Sequence, residues 1–158
     1  MKTLIVYCSK TGNTRKVIES FAKGLGGEID ILNLDLTPEG WLKNYTSTFT
    51  LDVSDYNLVC FGGWVMGMRV HPFLIAYIKS CYGLEEKKVV VLLTGGTTFS
   101  KNHAYEDIIG VLNERKVNLV GFFYTPTLLG LTLNKKKLRL VEEFGRSLMK
   151  NLEKDDEV

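Results

Sequence analysis

Apolar runs of strand length alternate along the chain with segments whose apolar residues recur at helical spacing. The candidate strands are Thr3–Cys8, Glu28–Leu32, Leu58–Phe61, Val89–Leu93 and Val117–Phe123. Their near-continuous Val, Leu, Ile and Phe content suits strands covered on both faces rather than on one. Between them, Thr14–Leu25 places Val17, Ile18, Phe21, Ala22 and Leu25 on one helical face, and Gly26-Gly27 follows as a stop. A second helix starts after His71 with Pro72 in its first turn and carries Phe73, Leu74, Tyr77, Ile78 and Cys81. Tyr105–Glu114 and about Lys135 to Glu153 supply two more, the last with Leu138, Val141, Gly145, Leu148 and Leu152 on one stripe. The Thr37–Val53 stretch is ambiguous; Pro38 opens it and Trp41-Leu42 anchors a short helix. Five strands separated by helices predict an α/β fold, a three-layer sandwich around a parallel sheet. No repeat or composition shift divides the chain, so residues 1–153 read as one domain and 154–158 as a solvated acidic tail.

Composition narrows the picture. The chain has 158 residues, 45% of them hydrophobic and 24% charged, enough for one core without a disulfide or metal staple. The longest unbroken aliphatic run, Val89–Leu93, falls far short of a membrane span, and the first residues lack a cleavable leader pattern. A cytoplasmic protein is the expectation. Cys8, Cys60 and Cys81 share no CxxC spacing and sit in apolar surroundings, as buried reduced thiols do. A net charge of +2 is too balanced to argue for nucleic acid, and His71 and His103 belong to no ligand-spaced cluster, so no metal is expected.

The informative segment is Ser9-Lys10-Thr11-Gly12-Asn13-Thr14, between the first strand and the first helix. Three hydroxyl side chains alternate with residues that permit a tight turn. The helix behind them turns free N–H groups and a positive dipole end toward the loop, which suits a phosphate monoester. An ordinary strand-to-helix turn capped by Thr14 is the plainer alternative. Neither a GxxxxGK(S/T) loop nor a GxGxxG loop is present.

This loop resembles the flavodoxin phosphate signature, Ser/Thr-x-Thr-Gly-x-Thr, at every position. The resemblance implies a flavodoxin-like five-stranded parallel sheet of order 2-1-3-4-5 with helices on both faces. It also implies FMN as cofactor. Ser9, Thr11, Asn13 and Thr14, with the backbone of Lys10 and Gly12, would then hold its phosphate at the carboxyl ends of the strands.

Gly62-Gly63-Trp64-Val65-Met66-Gly67 resembles the loop of short-chain, clostridial-type flavodoxins in which a Met-Gly pair meets the flavin. There the Met-Gly peptide turns over on one-electron reduction, and Gly67 suits that because a residue without Cβ enters either conformation at little cost. By the same resemblance Gly63, Trp64, Val65, Met66 and Gly67 are flavin contacts. Thr94-Gly95-Gly96-Thr97-Thr98-Phe99 stands where an aromatic usually stacks on the flavin. Here Thr97 takes that place and Phe99 follows two residues later. Thus Phe99 or Trp64 supplies the stacking, or one flavin face is more open. Thr94, Gly95, Gly96, Thr97 and Phe99 complete the expected site. Thr125-Pro126 and Glu143-Phe144-Gly145-Arg146 extend the resemblance to the end of the chain.

Charge departs from the acidic pattern of that family. Arg69 and His71 follow the Met-Gly pair, Lys101 and His103 follow the third loop, and Lys135-Lys136-Lys137 opens the last helix. Either these are solvated surface charges, or Arg69 and His71 meet an acidic redox partner or a carboxylate-bearing substrate. Two functions therefore compete. One is an electron carrier with no catalytic side chain; the other is an FMN-dependent reductase of a small molecule, with His71 or His103 as proton donors. A phosphorylated receiver domain fits poorly, since Phe61-Gly62 stands where its Asp is needed, and no GxSxG marks a hydrolase.

Overall fold

The computed structural model describes residues 1–34, 51–127 and 133–156. The strands are β1 (Lys2–Tyr7), β2 (Glu28–Asn33), β3 (Leu58–Met66), β4 (Arg69–Val70), β5 (Lys88–Gly95) and β6 (Asn118–Pro126). The helices are α1 (Asn13–Leu25), α2 (Pro72–Ser80), α3 (Ser100–Glu114) and α4 (Lys135–Asp156). The ambiguous stretch around Trp41-Leu42 lies outside the described residues.

The sheet runs β2-β1-β3-β5-β6, all parallel, and β4 pairs antiparallel with the end of β3. The five long strands keep the expected arrangement; the sixth, β4, is an addition. It arises because β3 does not stop at Phe61 but continues through Gly62-Gly63 to Met66 and turns back. Gly67 (φ +56°) and Met68 (φ +69°) form the two-residue turn, both left-handed, the pattern that matches the twist of paired strands. Gly takes that conformation freely and Met does not.

Alternation along each strand sends side chains to two cores. On one face α1 and α4 cover Ile5, Tyr7, Leu58, Cys60, Val90 and Leu92 with Val17, Ile18, Phe21, Val141 and Leu148. On the other, α2 and α3 cover Leu4, Val6, Val59, Phe61, Val89 and Val91 with Phe73, Leu74, Ile78, Ala104 and Ile108. In β6 the register steps from Val89 opposite Leu119 to Val90 opposite Gly121, leaving Val120 as an extra residue. That bulge reverses the alternation, so Leu119 and Phe122 share one face while Val120 and Phe123 share the other. A periodicity count along the sequence cannot show this.

Helix ends follow local chemistry. Asn134 accepts from Lys137 N–H at 2.9 Å and starts α4, which continues past Glu153 to Asp156, into the stretch expected to be a tail. Lys154 in its last turn complements the helix dipole. The helix α3 begins at Ser100, five residues before the expected start, because its first turn is polar and shows no apolar period.

The contact between α1 and α4 is backbone to backbone. A Cβ on Gly24 would stand 1.9 Å from Glu142 O, and one on Gly145 would stand 2.6 Å from Phe21 O. Gly110, in α3, has nothing within 4 Å of that position. Gly24→Ala and Gly145→Ala should therefore each lower the unfolding free energy by about 2 kcal/mol or more. Gly110→Ala should raise it, by up to about 1 kcal/mol, through helix propensity alone. Urea denaturation of the three variants checks this; a neutral Gly145→Ala would contradict the close crossing.

Candidate functional site

The carboxyl ends of β1, β3 and β5 lie side by side, and the loops leaving them meet. The turn after β1 is tied internally. Ser9 Oγ accepts from Gly12 N–H at 3.2 Å and from Arg15 N–H at 3.4 Å. Gly12 precedes α1 with φ +86° and has no side chain to cap it, so Ser9 Oγ reaches the Arg15 N–H of the first turn instead. A Cβ at Gly12 would meet nothing within 4 Å, so its backbone conformation and not crowding calls for glycine. Lys10 and Thr11 point outward as exposed residues, and Asn13 and Thr14 are buried.

Thr14 joins the loops. Its Oγ1 lies 2.9 Å from Thr94 Oγ1 and donates to Gly63 O at 3.4 Å, while Thr94 Oγ1 reaches the same carbonyl at 3.5 Å. Both threonines are buried, which raises the value of each bond, since an unpaired hydroxyl there would lose its water without replacement.

The third loop is held from β6. Tyr124 Oη donates to Thr97 O at 2.6 Å, passing so close to Gly95 that a Cβ there would be 2.0 Å away. Thr97 Oγ1 pairs with Ser100 Oγ at 3.2 Å. Thr127, which the sequence reading did not single out, donates through both N–H (2.6 Å) and Oγ1 (3.0 Å) to Gly95 O. Its signal was at hand in the Thr-Pro-Thr run that ends β6.

These loops enclose a cavity of about 220 Å³ lined by Lys10, Thr11, Asn13, Thr14, Trp64, Val65, Thr94, Gly95, Gly96 and Thr127. Nine of these were expected site residues. The others stand around it: Ser9 and Gly12 shape the turn and Gly63 supplies the shared carbonyl. Met66, Gly67, Thr97 and Phe99 are exposed. The donor set fits a phosphate monoester. Lys10 and Thr11 have backbone N–H groups without an acceptor among the described residues, beside the start of α1.

Two expected contacts take other roles. Arg69 grips Asp107 on α3 through Nη2 (2.6 Å) and Nε (2.9 Å), so its charge is answered within the chain. His71 is buried, accepts from Phe73 N–H through Nδ1 at the start of α2, and stacks on Trp64 with ring centroids 4.3 Å apart. Neither is offered to a visitor as a free cation. Cys8, Cys60 and Cys81 are all buried and unpaired, as expected. Burial pushes the Cys8 and Cys81 thiols up to about 12, and Cys60 further, so none is a ready nucleophile. Among the described residues no cluster could hold a metal ion and no helix is long and apolar enough to cross a membrane.

Burial holds the His71 imidazole below the ordinary histidine value of 6.5, and the nearby Lys10 charge adds to this. The unfolded chain therefore holds this proton more tightly, so the His71 contribution to stability is full above about pH 6.5 and declines as the pH falls through that value. An NMR titration should find His71 titrating below 6.5. A value above it would contradict the stacked, neutral ring.

A family model described as Flavodoxin domain matches residues 4–156. Oxidised Flavodoxin 1 from Bacillus cereus is 18% identical over 95% of this chain and 98% of its own, with a TM-score of 0.66. The flavodoxin, WrbA-like protein from Agrobacterium tumefaciens is 11% identical over 97% and 98%, also at 0.66. The NAD(P)H:quinone oxidoreductase from Methanothermobacter marburgensis is 16% identical over 97% and 96%, at 0.61. At such identities the likeness speaks for the fold. No curated protein matches in sequence. The family model, spanning nearly the whole chain, makes the assignment: this chain belongs to the flavodoxin domain family.

Proposed function

We propose that the chain binds FMN at the carboxyl end of its sheet and carries electrons between redox partners. The observation that supports this most is the cavity itself, where the start of α1 meets the loops after β3 and β5. A cavity of about 220 Å³ is small for a complete cofactor. It suits the phosphate and its sugar chain, leaving the flavin ring at the exposed rim. Ser9, Thr11, Asn13 and Thr14, with Lys10 and Gly12 backbone, are the phosphate contacts in this reading. Trp64, Val65, Met66 and Gly67 meet the ring from the β3–β4 hairpin, and Gly63 and the Thr94–Phe99 loop close the other side. Bound FMN supplies the electron-storing chemistry.

The chain's own residues favour a carrier. Among the described lining residues only Lys10 is charged, and none is a carboxylate or a histidine. His71 is buried against Trp64 and is not among the residues that line the cavity. Three free buried thiols suit a reducing compartment such as the cytoplasm, and β6, unbroken from Asn118 to Pro126, suits the short-chain type.

A reductase acting on a small molecule is the second reading. Phe99, at 83% exposure, covers nothing, and Thr97 is committed to Ser100 and Tyr124, so the third loop leaves room for a substrate over the ring. A neighbour of similar fold is described as an NAD(P)H:quinone oxidoreductase.

The two separate by reducing the FMN-loaded protein stepwise without oxygen and then adding NAD(P)H with a quinone. The carrier reading predicts electron uptake in two resolved one-electron steps and no sustained NAD(P)H oxidation. A single two-electron step with steady turnover would overturn it in favour of the reductase.

A further inference from the structure

The rim of the cavity combines three features. The first is apolar exposure: Phe99 (83%), Met66 (59%) and Met68 (46%) stand on neighbouring loops at the carboxyl ends of β5 and β3. The second is the absence of carboxylates from the described loops after β1, β3 and β5. Residues 1–18, 56–84, 87–105 and 115–141 contain no Asp or Glu, and they include the described loops after β1, β3 and β5. The third is unanswered positive charge. Lys10 lies in the first loop and Lys101 directly follows Phe99 and Ser100, both exposed. Lys135 and Lys136 open α4, and Lys137 Nζ, donating to Pro126 O at 2.5 Å, brings that helix start to the end of β6. None of these lysines has a carboxylate partner among the described residues. Arg69 does, in Asp107, and so adds little to the field.

The charge is thus arranged along the strands. Glu28, Asp55, Glu85, Glu86 and Glu114 gather where strands begin and helices end, away from the cavity. Among the described residues, a nearly neutral chain presents a cationic rim with an apolar centre, where the carboxylate at the β3–β4 hairpin, Asp107, is taken up by Arg69 and Val70 N–H. Aromatic and methionine side chains are the usual core of a protein interface, and methionine adapts to differing surfaces. Phosphate backbones of nucleic acid would use the lysines and leave the apolar centre unmatched.

We infer that this rim docks a protein partner whose contact face carries Asp and Glu side chains around an apolar centre. The inference rests on the FMN reading for its meaning, since the rim surrounds that site. The cations that steer the partner are Lys10 and Lys101, with the α4 lysines on one flank, and not Arg69 or His71. Phe99, Met66 and Met68 supply the dehydrated contact.

The test is an amide NMR titration of the labelled protein, with and without FMN. The probes are a peptide with four glutamates flanking a Leu-Phe pair and the same peptide with lysines. The acidic peptide should shift amides at Met66–Met68 and Phe99–Lys101, and the shifts should vanish at high salt. Lys101→Glu should weaken binding roughly fivefold, a shift of about one screened charge-pair energy. Lys150→Glu, the same charge change on an exposed residue near the other end of α4, should leave it unchanged. Equal binding of the basic peptide, shifts confined to other surfaces, or equal weakening by Lys150→Glu would overturn the inference. So would stronger binding, at the same residues, of a DNA duplex or anionic vesicles. The FMN-free arm keeps its failure distinct from a failure to bind FMN, which shows as a colourless protein.

Discussion

Two buried hydroxyls sharing one carbonyl hold the carboxyl end of the sheet together. Thr14 belongs to the first turn of α1, Gly63 to β3 and Thr94 to β5, and their bonds of 2.9 to 3.5 Å fix where the helix starts relative to both strands. Parallel strands leave their loops independent unless something ties them. Here the tie is polar, buried and formed by residues far apart in sequence. It sets the floor of the cavity, and the remaining loop bonds build upward from it. Ser9 folds the first turn onto itself, while Tyr124 and Thr127 hold Thr97 and Gly95 from the neighbouring strand.

The same end illustrates how the polar groups divide their work. Hydroxyls that are buried bond within the protein, whereas Thr11 is exposed at the cavity. Arg69 and His71 resolve in the same way. Each is a cation by residue type, yet the bidentate grip on Asp107 occupies one, and burial against Trp64 keeps the other neutral. Charge that remains effective comes from lysines without a carboxylate partner among the described residues. In the proposed reading, chemistry and docking occupy adjoining but separate residues, and the cofactor supplies the reactive group.

The alternation of apolar runs was sufficient to place five strands and four helices; the central strands β1, β3 and β5 are buried on both faces as expected, whereas the edge strand β2 is largely exposed and β6 only partly buried. The Ser9–Thr14 turn between β1 and α1 was legible because its residue types are dictated by local backbone geometry. What escaped was non-local. β3 runs past Phe61 through Gly62-Gly63, where Ile18 and Leu74 press so close that a Cβ would stand under 3 Å from them. The Val120 bulge is visible only against β5. Arg115 gathers the Ile78, Lys79 and Cys81 carbonyls together with Glu85, closing the end of α2 from some 34 residues away, and no nearby residue announces it. Arg69 looked available for docking because its partner, Asp107, lies 38 positions along the chain.

The account stands or falls on whether the turn before α1 holds a phosphate. Titrating the purified protein with FMN and with riboflavin, and following the quenching of flavin fluorescence, tests that most directly. The account predicts one FMN per chain, a yellow protein, and riboflavin bound at least about tenfold more weakly, since a charge-assisted phosphate contact contributes of order 1.4 kcal/mol or more. Equal affinity for the two flavins, or no binding of either, would contradict it.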